Sequence, residues 1–245
     1  MEKLITLHKD FFKLVLENKR IARDALKAHL PQQHIDEFDW DTLNFEAVDS
    51  HEVAADHICT TVLSSIQYGE VPIYIIFHLE PFLTKPVSAF NRITVYRRDL
   101  MLRKFFETKN GIPAVIAILY ACFNIPRQHN SDIDDDHRKT VEDTIPIAYC
   151  PGPTFVVDIP QVTDESDSNT SQMLVIDLLL KYSIIKPILK DLSKFLAKLS
   201  HFGTYPLRLH ALKYLFQHWQ MDHHELLQES AKYFDEKTLA SVVSC

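Results

Sequence analysis

Val71-Pro72-Ile73-Tyr74-Ile75-Ile76-Phe77-His78-Leu79-Glu80 is the stretch on which the fold turns. It is apolar, rich in β-branched and aromatic residues, and closes on two polar groups, which predicts a buried β-strand. Val53 to Leu63 reads as a second strand, and Ser64-Ser65-Ile66-Gln67-Tyr68-Gly69-Glu70 supplies the turn between them. Side chains alternate faces along a strand, so His78 and Glu80 project from one face. A hairpin would bring Asp56 beside them. An acid on one strand, with two polar groups spaced i, i+2 on the next, suits the metal site of a phosphodiesterase. Asp56 and Glu80 would hold Mg²⁺ or Mn²⁺, which prefer oxygen ligands. Such a metal polarises a phosphate and lowers the pKa of a bound water. His78 fits either a ligand or a general base. The plainer alternative ends two strands at Asp56 and Glu80 and leaves His78 a satisfied polar residue. An Asp inside an apolar strand is costly to bury without a partner, which favours the functional reading.

Composition narrows the classes. The 245 residues suit one large domain or two small ones, and 46% apolar content can build a core. A net charge of −7 argues against non-specific coating of nucleic acid, though local basic patches could still bind phosphates. Only four glycines occur, isolated at Gly69, Gly111, Gly152 and Gly203. Glycine-rich phosphate loops and dinucleotide fingerprints need glycines a few residues apart, so no nucleotide cofactor is expected. Cys59, Cys122, Cys150 and Cys245 show no metal-binding spacing and no disulfide framework, which fits a reducing cytosol. No signal peptide and no apolar run of the ~20 residues a membrane helix needs are visible, so no membrane partner is expected. Export by a signal-free route stays open.

Working outward, residues 8–29 read as helices ended by Pro31, and residues 33–40 as a short helix or turn. Leu43 to Val48 is expected as a first strand, Pro86 to Lys109 as a long helix, and Pro113 to Phe123 as a central strand buried on both faces. Residues 126–144 and 163–172 are polar loops around a strand at Thr154 to Ile159. Helices are expected over 173–182, 184–202, 206–219 and 222–245. The order predicts an α/β core over residues 1–162, a mixed sheet flanked by helices, followed by a helical C-terminal subdomain over 173–245.

The long helix carries Arg92, Arg97, Arg98, Arg103 and Lys104. At about 100° per residue Arg97 and Lys104 share one face, and Arg92 and Arg103 another. A basic helix beside a metal site would suit a nucleic-acid backbone, with Arg97 and Lys104 as phosphate contacts; the alternative is an ordinary solvated face. Asp132, Asp134, Asp136 and Asp143 fall on a calcium-loop spacing, but His137 replaces its turn glycine. His218, His223 and His224 lack the zinc-protease spacing. Glu17 is a further candidate acid on the first helix. No nucleophile elbow is present.

Short motifs along the chain resemble the recombination-promoting nuclease and YhgA-like transposase family of the PD-(D/E)XK nuclease superfamily. They are His8-Lys9-Asp10-Phe11-Phe12-Lys13, Ala28-His29-Leu30-Pro31 with Leu43, Ala54-Ala55-Asp56-His57, Ile73 to Glu80, Pro113 to Tyr120 and Val157-Asp158-Ile159. The resemblance implies a restriction-endonuclease-like core that cleaves DNA with Mg²⁺. Departures fall at the catalytic positions. Lys9 stands where the family has its first Asp, and Ala54-Ala55 lack its Arg and Ser. His78-Leu79-Glu80 replaces its Glu-x-Gln. Two expectations stay open. One is a metal-dependent DNA endonuclease with a rearranged Asp56, His78 and Glu80 site. The other is a catalytically degenerate nuclease fold that binds DNA or a protein, with self-association also open.

Overall fold

The computed structural model describes residues 10–46, 60–80, 86–108, 112–121, 153–159, 172–184, 189–218 and 223–243. The chain divides into two compact units, His29–Asp158 and Met1–Ala28 with Ile159–Cys245. The N-terminal helices, expected with the sheet in a 1–162 core, thus fall in the unit of the C-terminal helices.

The first unit is built on a five-stranded sheet in the order β1-β2-β3-β4-β5. Its strands are β1 (Phe38–Glu46), β2 (Thr60–Tyr68), β3 (Val71–Leu79), β4 (Ala114–Ala121) and β5 (Thr154–Asp158). β1, β2 and β3 run antiparallel to their neighbours, whereas β3, β4 and β5 are parallel. The sheet is therefore mixed, as expected. β3 and β4 are almost wholly buried, which explains their unbroken apolar runs.

β2 lies later in the chain than its sequence suggests. Ser64-Ser65 reads as a turn, yet Ser64 is fully buried opposite Ile75, and the Ser65 hydroxyl donates to Glu46 Oε1 at 2.9 Å. The reversal occurs instead at Gly69-Glu70. Gly69 adopts φ +58°, a conformation open to a residue without Cβ. Residues 53–59, the expected start of this strand, lie outside the described residues.

A long helix, α4 (Pro86–Thr108), crosses from β3 to β4. Ala89, Ile93, Tyr96, Leu100 and Met101 line its inner side. They pack on Leu63 of β2, Tyr74 and Ile76 of β3, and alternate residues Val115 to Ala121 of β4. The recurrence at three and four residues is that of one helix face. Thr61, His78 and Glu80 continue the same face of the sheet by strand alternation.

The second unit is helical. A helix over residues 10–16 (α1) is followed by α2 (Lys19–His29), whose first turn is capped by Asn18 Oδ1 accepting from Arg20 N at 3.0 Å. After the short α3 (Gln32–Ile35) of the sheet unit, the C-terminal helices are α5 (Gln172–Ile184), α6 (Leu189–Phe202), α7 (Tyr205–His218), α8 (His223–Ser230) and α9 (Glu236–Val243). The expected single helix from residue 222 is two, because Asp235 ends the break and caps α9, its Oδ1 accepting from Thr238 N at 2.7 Å. α1 is tied to this unit by Phe11 against Tyr214, with ring centroids 4.6 Å apart.

Candidate functional site

At the end of β3 four side chains form a continuous chain of hydrogen bonds. Thr61 Oγ1 lies 2.9 Å from His78 Nδ1, because Thr61 and His78 are paired across β2 and β3. His78 Nε2 lies 2.9 Å from Glu80 Oε1. The i, i+2 spacing along the strand brings that pair together, as its alternation predicts. Arg92, on the first turns of α4, then closes on Glu80 from above. Its Nε donates to Oε1 at 3.0 Å and its Nη2 to Oε2 at 2.6 Å, a bidentate fork. The backbone N–H of Glu80 donates to Tyr120 O of β4 at 2.9 Å, which fixes where the strand ends.

Glu80 is 1% exposed. Burial alone would raise its carboxyl, but the bonds from His78 and Arg92, with the Arg92 charge, override it and hold the group at about 2. Glu80 is thus an anion at every physiological pH and can only accept. His78 Nε2 must therefore carry the hydrogen it shares, and in the neutral imidazole the remaining lone pair, on Nδ1, takes the Thr61 hydroxyl. Glu80 accepts three hydrogen bonds against about four lone-pair positions.

A divalent cation does not fit this arrangement. Its charge would sit beside the Arg92 guanidinium, which already neutralises Glu80, and neither nitrogen of His78 is open to it. Among the described residues no three His, Cys, Asp or Glu side chains converge as a metal-holding group. Asp56, the second expected ligand, lies outside the described residues, as do the acidic calcium-like loop and the four cysteines.

The two expected phosphate contacts face inward. Arg97 is 3% exposed, and its Nη2 donates to Pro153 O at 3.0 Å and Thr154 Oγ1 at 2.6 Å, anchoring the start of β5. Lys104 binds Glu46 at 3.3 Å and Glu107 at 3.1 Å and lies over the Tyr74 ring, 5.2 Å from its centroid. Burial pulls the Lys104 ammonium down, but these carboxylates outweigh it and raise its pKa. Glu17 is exposed and pairs with Lys13 at 3.7 Å. His223 and His224 are exposed.

Two features escaped the sequence. Arg92 as the partner of Glu80 depends on the β3-to-α4 crossover, which no local signal encodes. The other was legible: Lys19, Arg20, Arg23 and Lys27 are exposed on α2, and Arg20, Arg23 and Lys27 recur at helical spacing opposite the buried Ile21, Ala22, Ala25 and Leu26.

Residues 6–206 match the family model described as "Putative transposase, YhgA-like", so the chain belongs to that family. No curated protein and no solved structure matches it. Among the described residues no helix is long and apolar enough to cross a membrane.

Proposed function

We propose that this chain is a non-cleaving member of its family, a nuclease-like α/β scaffold that binds DNA. The observation that carries this reading is the Glu80 carboxylate, expected from the sequence as a metal ligand and held instead by Arg92 and His78. A guanidinium supplies there the positive charge that Mg²⁺ or Mn²⁺ would otherwise bring. Support for DNA comes from the family's transposase description and from the exposed cations of α2, which stand out on a chain of net charge −7. Arg97 and Lys104 would contact phosphates only on releasing their present partners. The test is binding of a duplex oligonucleotide across a salt series. Four phosphate contacts predict an affinity that falls with a log–log slope of about −3 to −4. The triple charge reversal Arg20→Glu, Arg23→Glu and Lys27→Glu should abolish most of it. Binding absent at low salt, or indifferent to that reversal, would contradict the reading.

A second reading draws on the adjacency of His78 and Glu80 on one face of β3. In it Asp56 and Glu80 hold Mg²⁺ or Mn²⁺, His78 is a ligand or base, and the protein is a DNA endonuclease. Glu80 would first have to give up Arg92. Metal-dependent strand cleavage distinguishes the two.

A further inference from the structure

Helix α4 leaves an apolar stripe in solvent. Val95 is 48% exposed, Leu102 49% and Phe106 71%. At about 100° per residue the three fall within an arc of about 40°, on the far side of the helix from Ile93 and Leu100. Phe105, also exposed, meets Phe106 edge to face with centroids 5.4 Å apart. Large apolar side chains left exposed in a row on one helix face point to an interaction surface. At its middle stand Arg98 and Asp99, both exposed, one on each flank of the stripe and 3.0 Å apart.

We propose that this stripe is the seam of a two-fold symmetric dimer of the chain, with the two α4 helices side by side and parallel. The flanking charges select this occupant. A two-fold axis parallel to the helices turns the Arg98 flank of one copy onto the Asp99 flank of the other. Arg98 then meets Asp99 of the partner subunit, and Asp99 meets Arg98 of the partner subunit, the reciprocity of an isologous interface. An antiparallel pairing centred on these two residues would instead set each against its own copy, like charge on like. Val95, Leu102 and Phe106 meet their copies across the axis. The seven-residue step from Val95 to Leu102 is the step of a helix–helix seam. Arg92 lies on the same helix, so the two Glu80–Arg92 sites would stand at one level along the axis. The proposal is independent of DNA binding.

Sedimentation equilibrium of the full chain tests it. The wild type should show twice the monomer mass, and Leu102→Glu or Phe106→Glu the monomer mass. Arg98→Glu or Asp99→Lys alone places like charges across the seam and should weaken the dimer about tenfold or more. An equimolar mixture of those two variants restores both opposite-charge pairs and should recover the dimer. That recovery also excludes misfolding as the cause of the losses in these two charge variants. A wild type monomeric at every concentration overturns the proposal. So does a dimer untouched by Leu102→Glu and Phe106→Glu, or a mixture that fails to reassociate.

Discussion

The two halves of α4 carry similar residue types to opposite ends. In the first half the cations turn inward: Arg92 clamps Glu80 and Arg97 anchors β5, both by charge-assisted bonds. In the second half large apolar residues turn outward, at Leu102, Phe105 and Phe106. Burying charge and exposing hydrophobes both oppose stability, so each needs a separate reason. Arg92 has one in the anion it neutralises, and Arg97 in the β5 oxygens it holds. The second half has none among the described residues, which is what directs attention to a partner copy.

Breaking the first half should have the largest effect. Arg92→Ala leaves Glu80 as a buried charge without its main partner, and about 3 kcal/mol of unfolding free energy should be lost in urea titrations. Loss under about 1 kcal/mol would mean that Glu80 finds water or another cation instead.

Acid sharpens the same point. Glu80 has its carboxyl depressed from 4.5 to about 2 by its folded partners. A carboxyl lowered on folding stabilises the protein above its unfolded pKa, and that contribution disappears as protons bind the folded state. About 3 kcal/mol should therefore be lost between pH 4.5 and about 2, as a difference between the wild type and Glu80→Gln. Parallel stability–pH curves for the two proteins would refute the assignment.

Arg97→Met should cost somewhat less, about 2 kcal/mol, by removing its bonds to Pro153 O and Thr154 Oγ1. The smallest effect belongs to the second half. Phe106→Glu should change the stability of the dilute monomer by no more than about 0.5 kcal/mol, as an exposed site does. A large loss there would show that Phe106 serves its own fold and not a seam.

Much of the sheet was legible. β3 and β4 declare themselves because strands buried on both faces leave unbroken apolar runs. β2 misled because two adjacent serines look like a turn, while Ser64 is tolerated inside the sheet and Ser65 finds Glu46 on β1. The meeting of His78 with Glu80 follows from strand alternation alone. Their partners do not: Thr61 depends on register with β2, and Arg92 on the crossover into α4. Helical spacing grouped Arg97 with Lys104, but a helical wheel does not say which arc faces the sheet.

The most direct test is plasmid nicking in Mg²⁺ and in Mn²⁺ by the wild type, Asp56→Ala and Glu80→Ala. With Glu80 held by Arg92, the folded wild type should leave supercoiled DNA intact in both metals. Metal-dependent nicking by the wild type, lost in both variants, would contradict that outcome and restore Asp56 and Glu80 as the ligands of a working nuclease.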